Sequence, residues 1–215
     1  GYDFVTLGNH DFNYGKEELE KYISALDARC LCANIAGIRG VEKTAIVTLQ
    51  NGLRVGLAGV TTHYVKLWEK PENLAGIAVT DAFTAAKEAY DQLKAKADIT
   101  VCIYHGGFER DVKTGKVLSD TDENQGWRIC EELGFDILLA GHQHTAAENV
   151  RINGTYTCQP PDKARQYIKM DVIVDGQITA EQHLMDAGNV TQAKANRLSY
   201  KKVIALVSDL WGDED

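Results

Sequence analysis

Three stretches of this 215-residue sequence end an apolar run in a turn that carries histidine. They are Leu7–Asp11, Val101–Gly107 and Leu138–His144. An open α/β sheet gathers its ligands at the carboxyl ends of its strands, so turns that are far apart in sequence can meet in one crevice. Four histidines and one asparagine oxygen would form a cation site there. The side chains that we expect to meet are those of Asn9, His10, His105, His142 and His144.

The first turn, Gly8-Asn9-His10-Asp11, combines residue types with different chemical uses. Asn9 offers a neutral oxygen to a metal ion, and His10 can donate a proton. Asp11 can orient His10 and raise its basicity, as carboxylates do in acid–base sites. The alternative is ordinary turn chemistry with solvated side chains, because Asn and Asp favour such positions. This turn alone leaves both interpretations open.

The third turn, Gly141-His142-Gln143-His144, places two imidazoles two residues apart. On an extended or tightly turned backbone both rings can face one cluster, and two neighbouring ions can each take one of them. A lone His-x-His pair is as typical of exposed or core histidines as it is of a metal site. Three histidine turns at strand ends together favour a shared metal site.

Composition limits the function classes. A formal charge of -8 argues against a protein that binds nucleic-acid polymers, since these need a basic face. Small anionic substrates are compatible with this negative net charge if a bound cation supplies positive charge at the site. No apolar run reaches the ~20 residues of a membrane span. The five cysteines are an odd number without a Cys-x-x-Cys pair, which predicts free, buried thiols.

Strands and helices alternate over the first two thirds of the sequence. We predict a strand at 4–7, a helix at 15–29, a strand at 30–34, a hairpin with its turn at Asn51-Gly52, a helix capped by Thr80 or Asp81, a strand at 99–104, a helix near 127–133 and a strand at 137–140. From Glu148 onward, short strands with turns at Asn153-Gly154 and Asp175-Gly176 predict an antiparallel meander. Helical spacing follows at 196–210.

The same motifs resemble the calcineurin-like metallophosphoesterases, and within them the 5'-nucleotidase / 2',3'-cyclic-nucleotide 2'-phosphodiesterase family, most closely its bacterial cyclic phosphodiesterase / 3'-nucleotidase type. The resemblance implies an α/β sandwich of two mixed β-sheets flanked by helices. It is carried by Tyr2–Gly15, Gly59–His63, Trp68–Asn73, His105–Glu109, Glu123–Gly126 and Gly141–His144.

By this resemblance, Asn9, His105 and His142 would bind one divalent metal ion and His144 a second. His10 would face the leaving-group oxygen, with Asp11 as its orienting partner. The family mechanism is in-line attack on phosphorus by a metal-bound hydroxide, with Mn, Zn, Fe or Co as candidate metals. The implied substrates are small nucleotides, first 2',3'-cyclic nucleotides and then 3'-nucleotides.

The sequence departs from the family pattern in one respect. The family carries an Asp-x-His and a Gly-Asp motif ahead of the Asn-His element. This sequence has no Asp-x-His, and its only Gly-Asp is Gly212-Asp213. We therefore expect residues 1–188 to form a catalytic domain that lacks its first strands, with a partial metal site and little activity. Residues 189–215 are expected to form a helical linker or tail.

Two alternatives remain. Within the enzyme class, a 5'-nucleotidase or a nucleotide-sugar diphosphatase would use the same metal chemistry. Outside it, the chain would be a non-catalytic module that binds one metal ion weakly. The resemblance further implies a C-terminal nucleotide-binding domain in the whole protein, and a periplasmic, secreted or cell-wall location.

Overall fold

The structure is a computed structural model that describes residues 2–186. The helices are α1 (Lys16–Ala25), α2 (Val65–Trp68), α3 (Ala82–Leu93) and α4 (Gly126–Glu132), with a 3-10 turn at Asn9–Phe12. The strands are β1 (Phe4–Val5), β2 (Arg29–Leu31), β3 (Ile35–Ala36), β4 (Val41–Glu42), β5 (Thr44–Thr48), β6 (Arg54–Thr61), β7 (Ala78–Val79), β8 (Ile99–His105), β9 (Ile137–Ala140), β10 (Ala147–Ile152), β11 (Thr155–Gln159), β12 (Gln166–Asp175) and β13 (Gln177–Asp186).

A six-stranded sheet with the order β10-β11-β9-β8-β6-β5 forms the centre of the fold. Its four inner strands run parallel, and the two edge strands β5 and β10 are antiparallel to their neighbours. Every residue of β8 and β9 is buried, as expected for parallel strands covered on both faces. The carboxyl ends of β6, β8 and β9 therefore lie along one rim.

Helices and a second sheet cover the two faces of the central sheet. Helices α3 and α4 pack on one face, where Ala86 and Ile129 meet Cys102 and Tyr104. The small parallel sheet β1-β2-β4 and the hairpin β12–β13 cover the other face. Helix α1 packs on the outer side of that small sheet. The layers thus run helix, sheet, sheet, helix, which confirms the predicted α/β fold with helices flanking its sheets.

The strands predicted after residue 148 are confirmed, and β10–β11 and β12–β13 pair antiparallel as expected, but the prediction of one continuous meander is wrong. Strand β11 lies between β9 and β10 and pairs in parallel with β9, with Tyr156 opposite Ile137. Four of its five residues are buried, so this strand belongs inside a sheet rather than in an exposed ribbon. Strands β12 and β13 form the separate antiparallel hairpin. The helix predicted at 196–210 lies outside the described residues.

The turn and thiol predictions are confirmed. Asn153 and Gly154 adopt φ 46° and 93°, as a two-residue hairpin turn requires. Gly52 adopts φ 86° at the end of a longer hairpin loop, in which its N–H donates to the Leu49 carbonyl at 2.8 Å. All five cysteines are free and buried, and burial raises the pKa of the Cys30 and Cys158 thiols to about 12. Within residues 2–186, no helix has the length and apolar character needed to cross a membrane.

The two sheet layers approach each other closely at Gly59 in β6. A Cβ atom at this position would lie 1.9 Å from the carbonyl oxygen of Leu31 in β2. The backbone N–H of Ala33 donates to the carbonyl of Gly59 at 2.6 Å and ties the layers together at this point. Only glycine fits here without moving one layer away from the other.

We predict that Gly59→Ala destabilises the fold by roughly 3 kcal/mol, the upper end of the usual cost of overpacking. The methyl group would meet backbone rather than a flexible side chain, so it cannot be accommodated locally. Gly52→Ala is the matched control, because its added Cβ meets open space and only the positive φ costs about 1 kcal/mol. Urea unfolding measures both variants. Equal free energies of unfolding for the two would contradict the close approach.

Candidate functional site

Three of the predicted site residues meet at the carboxyl-end rim of the sheet. Asn9 begins the turn that follows β1, His105 is the last residue of β8, and His142 follows β9. The Asn9 Oδ1 atom lies 2.8 Å from His105 Nε2 and 3.2 Å from His142 Nδ1. The two imidazole rings are 5.3 Å apart between centroids. Three potential ligand atoms from distant parts of the sequence therefore face one point.

His105 reaches this point because Gly8 leaves room for its ring. A Cβ at Gly8 would lie 2.9 Å from His105 Cε1. The carbonyl of His105 accepts a hydrogen bond from the Thr62 N–H at 2.7 Å, so the end of β8 is fixed to the segment after β6. Only 1% of His105 is exposed, so its ring is enclosed by the protein.

The turn after β9 is held by the side chain of Gln143. Its Oε1 accepts from the Phe108 N–H at 2.8 Å, and its Nε2 donates to the Phe108 carbonyl at 2.9 Å. His142 and His144 adopt φ 77° and 56°, a left-handed region that few residues other than glycine occupy. The clamp on Phe108 compensates this strain and presents His142 to the site.

Glu123 is a site residue to which the sequence analysis assigned no role. Its Oε1 lies 2.9 Å from His142 Nε2, on the side of the ring opposite Asn9. The Glu123 carbonyl accepts from the Thr62 hydroxyl at 2.8 Å, which docks this loop on the end of β6. Glu123 lies in a polar stretch without periodicity, so only its membership in the Glu123–Gly126 motif pointed to it.

The segment after Glu123 is anchored by a buried polar network. The Tyr104 hydroxyl accepts from the Gln125 N–H at 3.0 Å, and Gln125 Nε2 donates to Asp81 at 3.0 Å. Burial raises the pKa of the Tyr104 phenol, which stays neutral. Burial also acts to raise the pKa of Asp81, but hydrogen bonds from Thr84 and Gln125 outweigh it and lower that pKa. Asp81 therefore stays ionised while it caps α3.

Trp68 forms one wall of the site. Its ring stacks on His142 with a centroid distance of 5.5 Å and an interplanar angle of 26°. The ring also leans on Tyr64, and 47% of the residue remains exposed. An exposed aromatic surface thus lies directly beside the convergent side chains.

The other predicted site residues lie around this cluster. His10 is exposed, and its Nδ1 lies 3.1 Å from Asn13 Oδ1. Asp11 Oδ2 accepts from the Gly8 N–H at 2.7 Å and so shapes the turn. His144 is exposed beside the turn after β9. The catalytic roles of His10 and Asp11 and the ligand roles of Asn9, His105, His142 and His144 remain predictions.

The donor atoms present fit part of a divalent metal site. Imidazole nitrogens with an amide oxygen suit borderline ions such as zinc and manganese. The Glu123 carboxylate accepts a hydrogen bond from His142 Nε2–H, which leaves Nδ1 as the ligand atom, as carboxylates behind histidine ligands do in metal sites. Within residues 2–186, no group of three or more His, Cys, Asp or Glu side chains is placed to hold a metal ion. The fit is therefore that of a half-site.

The model of the calcineurin-like phosphoesterases matches residues 2–146, which include Asn9, His105 and His142. This chain belongs to the calcineurin-like phosphoesterase family. The predicted resemblance is confirmed at this level, and members of the family generally use divalent metal ions.

Relatives within the family carry nucleotide-related names. The chain is 32% identical over 159 residues to the trifunctional nucleotide phosphoesterase protein YfkN of Bacillus subtilis, covering 66% of this chain and 10% of that protein. It is 27% identical over 157 residues to the 2',3'-cyclic-nucleotide 2'-phosphodiesterase/3'-nucleotidase of Salmonella typhimurium, covering 66% and 23% respectively. The chain thus spans less than a quarter of either curated relative.

A solved structure agrees with the fold. A Staphylococcus aureus protein provisionally named a 5'-nucleotidase, crystallised with α-ketoglutarate, superposes with a TM-score of 0.79 at 31% identity. The match covers 86% of this chain and 38% of that one. The site geometry described above therefore lies within a phosphoesterase fold.

We predict that Glu123→Ala weakens the affinity for Mn²⁺ or Zn²⁺ by about tenfold or more, as loss of a carboxylate behind a histidine ligand does elsewhere. Without Glu123, nothing in the described site fixes the His142 ring from its outer side except stacking on Trp68. Asp122→Ala is the matched control, since Asp122 is its exposed neighbour. Isothermal calorimetry gives both affinities, and an unchanged affinity in Glu123→Ala would contradict this assignment.

Proposed function

We propose that the protein hydrolyses phosphoesters of nucleotides, with 2',3'-cyclic nucleotides first and 3'-nucleotides second. The observation that carries the proposal is the meeting of Asn9, His105 and His142 at the rim of the sheet, with His10 beside them. The formal charge of -8 favours a small anionic substrate over a nucleic-acid polymer, which would need a basic face.

The names of the relatives support this choice of substrate. The Bacillus protein is named a nucleotide phosphoesterase, and the Salmonella protein is named for both a cyclic-nucleotide and a 3'-nucleotide activity. The Trp-Glu-x-Pro-Glu-Asn motif at Trp68–Asn73 resembles the cyclic phosphodiesterase type. We extend the proposal to the whole protein, with a further C-terminal nucleotide-binding domain and a periplasmic, secreted or cell-wall location.

Each site residue of this chain would have its own role in the reaction. Asn9, His105 and His142 would hold a divalent cation, and His144 would take part in a second site. Such cations supply positive charge for the phosphoryl oxygens and activate the attacking water. The His10 side chain is exposed, so a substrate can approach it. We assign it to the leaving oxygen, where it stabilises or protonates the departing alkoxide.

One specific observation favours a second candidate, a 5'-nucleotidase. The Staphylococcus structure that superposes at a TM-score of 0.79 is provisionally named for that activity. A nucleotide-sugar diphosphatase would use the same chemistry. The third candidate, a non-catalytic module that binds one metal ion, rests on the sequence, which contains no Asp-x-His motif.

A substrate panel tests the proposal. The full-length protein loaded with Mn²⁺ or Zn²⁺ is assayed against 2',3'-cyclic AMP, 3'-AMP, 5'-AMP and a nucleotide sugar. We expect the highest kcat/KM for the cyclic nucleotide, and a preference for 5'-AMP would select the second candidate. The purified 215-residue chain is assayed in parallel by calorimetry and turnover. Metal binding with little turnover is the expected result for it, and robust turnover would overturn that expectation.

We predict that His10→Asn in the full-length protein lowers kcat by about a hundredfold or more, the usual contribution of a positioned proton donor. Metal content should stay nearly unchanged, because His10 contacts Asn13 rather than the convergent ligand atoms. His183→Asn serves as the control, since His183 lies on β13 beside Glu181. Metal analysis and steady-state kinetics check both variants. Loss of metal from His10→Asn would mean that His10 is a ligand.

A further inference from the structure

A chain of hydrogen bonds leads from the His10 ring to the loop that follows α2. His10 Nδ1 lies 3.1 Å from Asn13 Oδ1. On the other side of the same amide, Asn13 Nδ2 donates to Glu69 Oε2 at 3.1 Å. Asn13 and Glu69 are 56 residues apart, so their contact is created by the tertiary fold.

The Glu69 carboxylate is itself fixed by two donors. The backbone N–H of Lys70 donates to Glu69 Oε1 at 2.7 Å, and Asn73 Nδ2 donates to the same oxygen at 2.9 Å. Asn73 Nδ2 also donates to the backbone carbonyl of Asn13 at 2.7 Å. The loop therefore holds both the backbone of Asn13 and the carboxylate that its side chain meets.

This arrangement determines which end of the Asn13 amide faces His10. A carboxylate only accepts hydrogen bonds, so the amide nitrogen must point to Glu69 and the amide oxygen to His10. The oxygen in turn accepts from His10, which places the ring hydrogen on Nδ1. An asparagine without Glu69 can rotate its amide by half a turn and present a donor instead.

We propose that Glu69 is a positioning residue that acts through Asn13 to keep a hydrogen on Nδ1 of His10. Nε2 of the ring then faces the substrate and, because Nδ1 already holds a hydrogen, is the nitrogen that takes up the proton passed to the departing alkoxide; this assignment rests on the proposed function. Neither Asn13 nor Glu69 touches the reacting atoms. The orienting task that the sequence suggests for Asp11 is thereby assigned to a pair of residues, one of them distant in sequence.

The tautomer of His10 tests the proposal directly. Ring ¹⁵N shifts and long-range ¹H–¹⁵N couplings are measured on labelled protein without metal or substrate, at about pH 9, where an ordinary imidazole is neutral. We expect the Nδ1–H form to predominate in the parent chain. Glu69→Ala should lower the ratio of Nδ1–H to Nε2–H by about threefold, the effect of losing one ordinary hydrogen bond. A ratio equal to that of the parent, or a parent ring that carries its hydrogen on Nε2, overturns the proposal.

A second substitution separates positioning from general stabilisation of the loop. Aspartate at position 13 only accepts hydrogen bonds, so it needs no partner to orient it. Adding Asn13→Asp to Glu69→Ala should therefore restore the Nδ1–H form, while a merely structural role of Glu69 predicts no recovery. Glu72→Ala, an exposed glutamate of the same loop, is the matched control and should leave the ratio unchanged.

The test distinguishes failure of this inference from failure of the proposed function. The tautomer is measured without turnover, so the positioning role of Glu69 can be confirmed even if the protein hydrolyses no nucleotide. In the full-length enzyme, Glu69→Ala should lower kcat several-fold with KM nearly unchanged, and the double variant should recover most of the loss. A fall in kcat that the double variant does not relieve would contradict the positioning role.

Discussion

The site depends on a single amide oxygen that two imidazoles share. Asn9 Oδ1 meets His105 and His142 across sequence separations of 96 and 133 residues. No short-range element creates this contact, because each partner arrives on a different strand end. The parallel order of β6, β8 and β9 brings those ends to one rim, and the small sheet that contains β1 delivers Asn9 from the layer behind.

The position of Asn9 therefore depends on how closely the two sheets pack. At Gly59 the β2 backbone lies so near β6 that a Cβ would overlap the Leu31 carbonyl. This contact sets the distance between the layers. The turn that carries Asn9 comes directly after β1 of the small sheet, so its position depends on that distance. The buried core between the sheets, with Leu31 and Leu57 among its members, makes the separation rigid. Core packing and ligand geometry are thus two aspects of one constraint.

Local patterns in the sequence predicted the parts of the fold that local physics decides. Asp81 caps α3 as expected, since its side chain accepts from the Thr84 N–H at 2.7 Å. The strands β8 and β9 and the turn at Gly52 were also predicted, from two apolar runs and from an Asn-Gly pair. The place of β11 was not, because pairing with β9 is a long-range choice that alternation of residues does not encode. The same distinction applies to the site. The strand-end rule found Asn9, His105 and His142, whereas the partners Glu123, Asn13 and Glu69 depend on how loops dock.

The insertion of β11 between β9 and β10 has a consequence for how the molecule matures. The Thr145 carbonyl, just beyond the histidine turn, accepts from the Gln159 amide of β11 at 2.6 Å. Synthesis must therefore proceed past Gln159 before the segment behind His142 gains this anchor and before β9 gains its second neighbour. Until then the nascent chain on the ribosome exposes an apolar strand edge, a surface that chaperones commonly shield.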